Sequence, residues 1–387
     1  MILINILFIV IIVLIIIDIY LLIKPKSKLE MIGKNLLVGI YDGVQLIDFE
    51  LEITNKSNKK ETMIPNLNFV LDAVHQENFD KYEYETEIII DDYSKKKYLR
   101  NYWETIILRA KSKILLRVKI KFKDKLSENI NFLWLKVNWE NYGDFGLVKK
   151  QNCFLINKQD YKERELIDIQ LNERIKAIAI KTDLLGSFND PIMTVVNYCE
   201  DIIQNEDILV IGETPLAIMQ GRYLSPINLQ FTIFSKILCY FFHPTSSLAT
   251  ACGMQLLINK IGVTRISLSL LIGFIFKCFG IKGVFYILAG EESSLIDDIS
   301  GTTPPYDKTI VMGPKNPMKF CNELSKKLKI NIAVVDVNDL GGVKILACSK
   351  KSIANVLQKV LVSNPAGNDD QRTPILLIRG EKIKEKI

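Results

Sequence analysis

DILVIGETPLAIMQGR, residues 207–222, decides how the fold is read. Ile208 to Ile211 form a short, unbroken apolar run between Asp207 and Gly212, as in a strand buried on both faces. Thr214 and Pro215 then open a helix, since the fixed φ of proline suits a first helical turn. A buried strand passing straight into a helix predicts an α/β sheet, and in such sheets ligands gather at the strand ends.

The neighbouring sequence repeats the pattern. PIMTVVNYCEDIIQ (191–204) is an amphipathic helix preceding the strand, and MKFCNELSKKLK (318–329), after Pro317, feeds the strand INIAVVDVND (330–339). KKSIANVLQKVLVSN (350–364) is a further helix before TPILLIR (373–379). Helical periods alternating with short apolar runs predict a mixed α+β sheet carrying helices over residues 166–380, with 166–180 as linker and first strand.

Residues 35–165 have a different texture. GIYDGVQLIDFELEITN (39–55) alternates before the polar turn KSNKK, YEYETEIIID (82–91) alternates again, and SKILLRVKIKF (112–122) places Ile114, Leu116, Val118, Ile120 and Phe122 at period two. Half-buried strands without long helices between them predict an antiparallel β-sandwich-like domain. Trp103, Trp134, Trp139 and Tyr142 are assigned to its core, with a carbohydrate or peptide groove as the other use of such a cluster.

Residues 1–24 open the chain with an almost unbroken apolar run interrupted by Asn5, Asp18 and Tyr20. A helix of that length measures about 33 Å, enough for a hydrocarbon core of about 30 Å. No lysine or arginine precedes the run and no small-x-small cleavage site follows it, which favours a transmembrane anchor over a cleaved signal peptide. Lys24, Lys26, Lys28 and Lys34 follow it, so the expectation is a single-pass membrane protein with its body on the cytoplasmic side. Asp18 is then costly unless it lies near the headgroups. A buried β-rich segment is the other reading of so many isoleucines. Residues 227–290 form a second apolar region, an insert broken by Lys277, Gly280 and Lys282. Ile266–Phe276 is too short to span, which leaves ordinary core helices or helices lying at the bilayer surface beside the anchor.

The formal charge of +6, from 50 basic and 44 acidic residues, suits an anionic membrane face and argues against nucleic acid as partner. Seven cysteines without a CxxC pair exclude a zinc or disulfide framework and fit a reducing compartment.

Chemistry is sought on the loops. Asp297 and Asp298 lie in GEESSLIDDISGTTPPYD (290–307), Asp336 and Asp339 at the end of IAVVDVND, and Asp369 and Asp370 in NPAGNDDQRTP (364–374). Aspartates at strand ends suit a hard ion such as Mg2+ or Mn2+, whose shell a nucleotide's phosphates complete; any single pair more often only stabilises its own turn. Glu213 follows a buried strand, Thr214 stands at a helix start whose amides favour an anion, and Arg222 offers a bidentate partner for phosphate or carboxylate. HPTSSLATACGMQ (243–255) holds His243, Thr245, Ser246 and Cys252. Its hydroxyls suit a phosphate or substrate pocket, whereas a His243–Cys252 nucleophile lacks a third orienting group and a buried structural cysteine is the commoner role. No GxxxxGK[ST] loop is present.

The order of these segments, from DLLGSFNDPIMTVVNYCEDIIQNEDILVIGETPLAIMQGR through LIDDISGTTPP and IAVVDVNDLGGVKILACS to GNDDQRTP, resembles the gamma-glutamyl ligase family that lengthens the side chain of a deazaflavin redox coenzyme. The resemblance covers roughly residues 178–379. It implies an α/β body that forms a homodimer, GTP (or ATP) as co-substrate, Mg2+ or Mn2+ as cofactor, and an L-glutamate amine joined to a carboxylate-bearing small molecule through an acyl phosphate. By the same resemblance Glu213 to Arg222 is the opening nucleotide and substrate segment, with Glu213 and Arg222 the expected catalytic residues and Thr214 a binding one; the residues themselves add His243, Thr245, Ser246 and Lys344 as expected nucleotide or substrate contacts. Asp297 or Asp298, and Asp336, resemble the family's metal aspartates, and Asp339, beside Asp336 at the strand end, joins them as an expected metal ligand.

Three positions depart from the family pattern. Thr214 stands where the family carries lysine, Ile299 and Ser300 replace Ser-Asn, and no arginine follows Asp336. Two of these are cations expected to neutralise transferring phosphoryl charge. Either Arg222 and Lys344 substitute for them, or the substrate differs, or the chain is a non-catalytic, membrane-associated nucleotide-binding scaffold. The anchor, the β-domain and the insert, all additional to the family, imply a membrane-associated acceptor and a lipid bilayer as partner.

Overall fold

The computed structural model describes residues 2–41, 43–74, 79–92, 95–99, 103–127, 129–157, 164–172, 175–297, 302–337, 342–367 and 371–379. Helix α1 (Ile2–Ile23) leads into a wholly antiparallel β-rich region. Its strands are β1 (Leu29–Tyr41), β2 (Val44–Asn55), β3 (Thr62–Ala73), β4 (Tyr84–Asp92), β5 (Lys95–Leu99), β6 (Ile106–Leu108), β7 (Lys113–Phe122), β8 (Phe132–Gly143) and β9 (Gly146–Asn157). They form one sheet in the order β1-β2-β7-β4-β5 and a second in the order β6-β3-β8-β9. Alternate residues of β7, from Ile114 to Phe122, are buried and their neighbours are not, which is the period-two pattern of the sequence. Phe49, Leu116, Val118, Leu135 and Ile156 join in one core between the sheets.

The strand parity of β8 corrects the aromatic assignment. Trp139 lies in the sandwich core, and Trp103 packs against it while donating its indole N–H to the Ile64 carbonyl. Trp134 is buried on the opposite face of β8, against Tyr223 and Tyr306 of the rest of the chain. Tyr142 has the same parity as Trp134 but lies beyond that cover, and it is exposed.

Strands β10 (Glu165–Asn172), β11 (Ile175–Lys181), β12 (Ile208–Gly212), β15 (Asn331–Val337), β16 (Val343–Cys348) and β17 (Ile375–Arg379) build the second half around a sheet of order β10-β11-β17-β12-β15-β16. β13 (Tyr223–Leu224) and β14 (Ile310–Val311) pair separately. β12 and β15 run parallel, and every other neighbouring pair in the large sheet is antiparallel. Helices α2 (Pro191–Cys199), α3 (Glu213–Met219) and α8 (Pro317–Leu328) cover one face, and α9 (Ala354–Val360) covers the other. Cover on both faces explains the unbroken apolar runs Ile208–Ile211 and Ile332–Val335, all buried.

The insert folds as α4 (Ile233–Leu238), α5 (Ala251–Ile261), α6 (Val263–Cys278) and α7 (Val284–Ala289) around its own core. Leu14, Ile17 and Leu21 of α1 pack against that core, and the Asp18 carboxylate accepts hydrogen bonds from the backbone N–H groups of Val263 (2.6 Å) and Thr264 (2.9 Å). Asp18 therefore caps α6 from another element. Gly262, at φ +82°, has no side chain to do so, and a Cβ there would come within 2.9 Å of Asp18 Oδ2. Among the described residues no single helix is long and apolar enough to cross a membrane. The described apolar stretch of α1 is Phe8–Ile23, and α5 with α6 passes only as a pair bent by 111°.

Candidate functional site

The sheet topology brings distant residues to one edge. β11, β12 and β15 all end there, and because β16 and β17 run the other way, their first residues start there. Glu213 follows β12, Asp336 is the penultimate residue of β15, Lys344 lies opposite it on β16, and Thr182 follows β11. Between them is a cavity of about 250 Å³ whose walls include Thr182, Asp183, Glu213, Thr214, Asp336, Asn364, Arg372 and Thr373, with Val210, Leu361 and Leu376 on the apolar side. Complete small-molecule sites span about 300–1,000 Å³, so this cavity matches a phosphate or amino-acid group more closely than an entire nucleotide.

Glu213 is the electrostatic centre. Its side chain is buried, and burial together with the facing carboxylates of Asp297 and Asp336 pushes its pKa up to about 9, against a smaller opposite pull from Lys344. At neutral pH it holds a proton. Its Oε2 finds no hydrogen-bond partner among the described residues, while Oε1 lies 3.4 Å from the Thr214 hydroxyl. That hydroxyl has one proton to give and stands closer to Asp297 Oδ2, at 3.1 Å. The backbone of Asp297 is fixed by a two-way bridge to Val311. The pKa of Asp336 is also raised, chiefly by burial, with Lys344 pulling it back. Lys344 reaches across to donate to Ser294 Oγ at 2.7 Å.

Glu213, Thr214, Asp297, Asp336 and Lys344, to which the sequence reading gave three different roles, lie near one another. Arg222 is placed elsewhere: its Nε donates to the Gly313 carbonyl at 3.2 Å, and its side chain is absent from the cavity walls. His243, Thr245 and Ser246 belong to the insert. The His243 ring, exposed, lies 2.9 Å from Thr245 Oγ1, and Ser246 caps a short turn through the Leu248 N–H. Asp298, Asp339, Asp369 and Asp370 lie outside the described residues. Among the described residues no three His, Cys, Asp or Glu side chains are spaced to hold a metal ion. None of the seven cysteines is in a disulfide, and Cys252 packs in the insert's core.

Sequence reasoning missed Arg372, Thr373, Thr182 and Asn364. Arg372 carries φ +51° and gives its carbonyl to the Thr182 N–H, which pins the loop before β17 to the end of β11. The turn-rich string GNDDQRTP marked that loop, but its aspartates drew attention from its arginine.

Residues 41–160 match the family described as "F420-0:gamma-glutamyl ligase, N-terminal Ig-like domain", which corrects the expectation that the β-rich domain is additional to that family's pattern. No curated protein matches the chain in sequence. Among solved structures, the GAE domain of GGA2p from Saccharomyces cerevisiae is 14% identical, covering 35% of this chain and 96% of its own at a TM-score of 0.21. The putative ApaA protein from Bordetella pertussis is 9% identical, covering 35% and 99% at 0.20. The collagen-binding subdomain of the Enterococcus faecalis surface protein ACE is 10% identical, covering 34% and 98% at 0.20. Likenesses this slight carry no structural argument.

Proposed function

We propose that the chain is a nucleotide-driven, metal-dependent amide ligase of the gamma-glutamyl type, joining the amine of L-glutamate to a carboxylate acceptor. One observation carries the reading: the adjacent Glu213 and Thr214 meet Asp336 and Lys344, from distant strands, at one sheet edge beside a cavity sized for a phosphoryl or glutamyl group. The match of residues 41–160 to the N-terminal Ig-like domain of a gamma-glutamyl ligase supports it independently. In this reaction the acceptor carboxylate takes the terminal phosphoryl group of GTP or ATP, releasing the nucleoside diphosphate. The glutamate amine then attacks the acyl carbon, and inorganic phosphate leaves as the amide forms.

The residues fit a cation in one respect, because Glu213 Oε2 is buried, unpaired and faced by two carboxylates. Glu213, Asp297 and Asp336 are not spaced to hold a divalent ion by themselves; an ion there would neutralise phosphoryl charge and would take the rest of its shell from the nucleotide's phosphates. Arg372, in the cavity wall, and Lys344, paired across the strands with Asp336, offset the negative charge of the transferring group in place of the lysine and arginine the family carries. Thr214 orients Asp297. Helix α1 acts as a single-pass anchor holding the body at the cytoplasmic face, where the acceptor is membrane-associated.

Titration calorimetry of the full chain in detergent with GTP, ATP and Mn2+ tests the proposal. Mn2+-dependent binding of one nucleotide, lost in Asp336→Asn, is the expected result, and binding of neither nucleotide removes it. The threonine at 214 favours one other reading, a scaffold that keeps the site without the chemistry. Tight nucleotide binding with no diphosphate released on adding glutamate and carboxylate acceptors would select it.

A further inference from the structure

The insert ends in a projection that no part of the proposed ligase site uses. Every residue from Phe274 to Gly283, FIFKCFGIKG, is exposed, although five of the ten are large apolar residues. The last turn of α6 closes with the N–H groups of Gly280 and Ile281 bonded back to Lys277 and Phe276. Gly280 and Gly283, at φ +82° and +84°, then return the chain into α7. Water is a poor partner for this tip: Phe279 is 77% exposed and Ile287, on α7, 77%. On α4 and the turn after it, Ile237, Tyr240 and Phe241 present a second exposed apolar group. Apolar surface of this extent on one element marks an interaction site.

Charge identifies the occupant. Between Glu213 and Glu291 the chain contains no aspartate or glutamate, whereas Arg222, Lys236, Lys260, Arg265, Lys277 and Lys282 all fall there. Lys277 and Lys282 lie within the exposed tip itself and Lys236 on α4, so each exposed apolar group carries lysine beside it in the chain. Aromatic and aliphatic groups interleaved with lysines match the boundary between acyl chains and anionic headgroups, to which the lysines are drawn. Helix α1, whose outward residues from Ile6 to Ile16 are largely exposed and apolar, packs on the core of the same insert.

We infer that the tip Phe274–Gly283, with the exposed residues of α4 and α7, docks into the surface of an anionic lipid bilayer as a second, non-spanning attachment beside α1. The inference rests on reading α1 as the anchor, and the experiment separates the two. The full chain carrying Cys252→Ser is labelled at Cys278, the exposed cysteine, with an environment-sensitive fluorophore. It is then reconstituted into phosphatidylcholine vesicles with and without phosphatidylglycerol. Flotation with the vesicles reads α1. The probe reads the tip: a blue shift, quenching by doxyl-labelled lipid, and severalfold weaker quenching by iodide than in urea are expected with phosphatidylglycerol. Lys277→Glu with Lys282→Glu is expected to return the probe to iodide while the chain still floats. A floating chain whose probe is as open to iodide as in urea overturns the docking and leaves the anchor standing. Protection unchanged by the charge reversal or by omitting phosphatidylglycerol overturns the anionic surface as partner. Protection that rises with protein density, together with energy transfer between labelled copies, assigns the tip to a second copy of the chain instead.

Discussion

Glu213 sets the pH behaviour of the site. Its pKa in the folded protein, about 9, lies above its ordinary value of 4.5, so the native state binds a proton that the unfolded chain has given up. Its stabilising contribution is complete below about pH 4.5 and is lost as the pH rises toward 9. Glu213→Gln keeps the shape without the titration. Thermal melts of the full chain in detergent should find the variant close to wild type at pH 5 and more stable at pH 9, with a gain of roughly 2–4 °C for each kcal/mol recovered. Parallel loss in both proteins would assign the titration to another group. The identity of Glu213 was legible in the sequence because it follows a buried strand directly, and strand ends are where polar groups meet solvent. The role of Arg372 was not, since nothing in GNDDQRTP reveals that its loop is pinned to the end of β11, far away in the chain. Arg222 was overread for the converse reason: spacing along a helix start says nothing of the Gly313 carbonyl that takes up its Nε–H.

At the level of single elements, periodicity was a sound guide. The alternation of β7, the apolar run of β12 and the proline-led start of α8 all appear where the sequence puts them. What periodicity could not supply is pairing between elements, and Asp18 is the clearest case. Read alone, it is an unfavourable charge in an apolar helix; in the fold it closes the first turn of α6. Asp18→Ala should cost about 0.5–2 kcal/mol, the usual range for losing an N-cap. Hydrogen exchange should show the loss as faster exchange confined to the amides of Val263 and Thr264 and the turn that follows. Asp18→Asn, which retains an acceptor, should restore most of the protection. Equal exchange in all three proteins would mean the cap contributes nothing.

Over the whole molecule, the sandwich and the second half meet through aromatic rings. Trp134 stands edge-on to Tyr306 at 5.2 Å, Tyr306 edge-on to Tyr223 at 5.0 Å, and the two phenols donate to the Leu185 and Cys153 carbonyls. Tyr306 also lines the cavity, so the site and the sandwich share a wall. Trp134→Ala should cost about 3–5 kcal/mol through the void it leaves. Calorimetry should then resolve one unfolding transition into two as the halves uncouple. A single transition, merely lowered, would show that the seam does not govern their cooperation.

The bond between Asp18 and α6 also bears on how the protein is prepared. Trimming the oily leader to improve solubility is the ordinary first step in purifying such a chain. Here it would strip away Leu14, Ile17 and Leu21 together with the carboxylate, leaving raw hydrocarbon where the leader had rested. The shortened product should precipitate more readily than the intact one, so purification should keep the first two dozen residues and supply a surfactant.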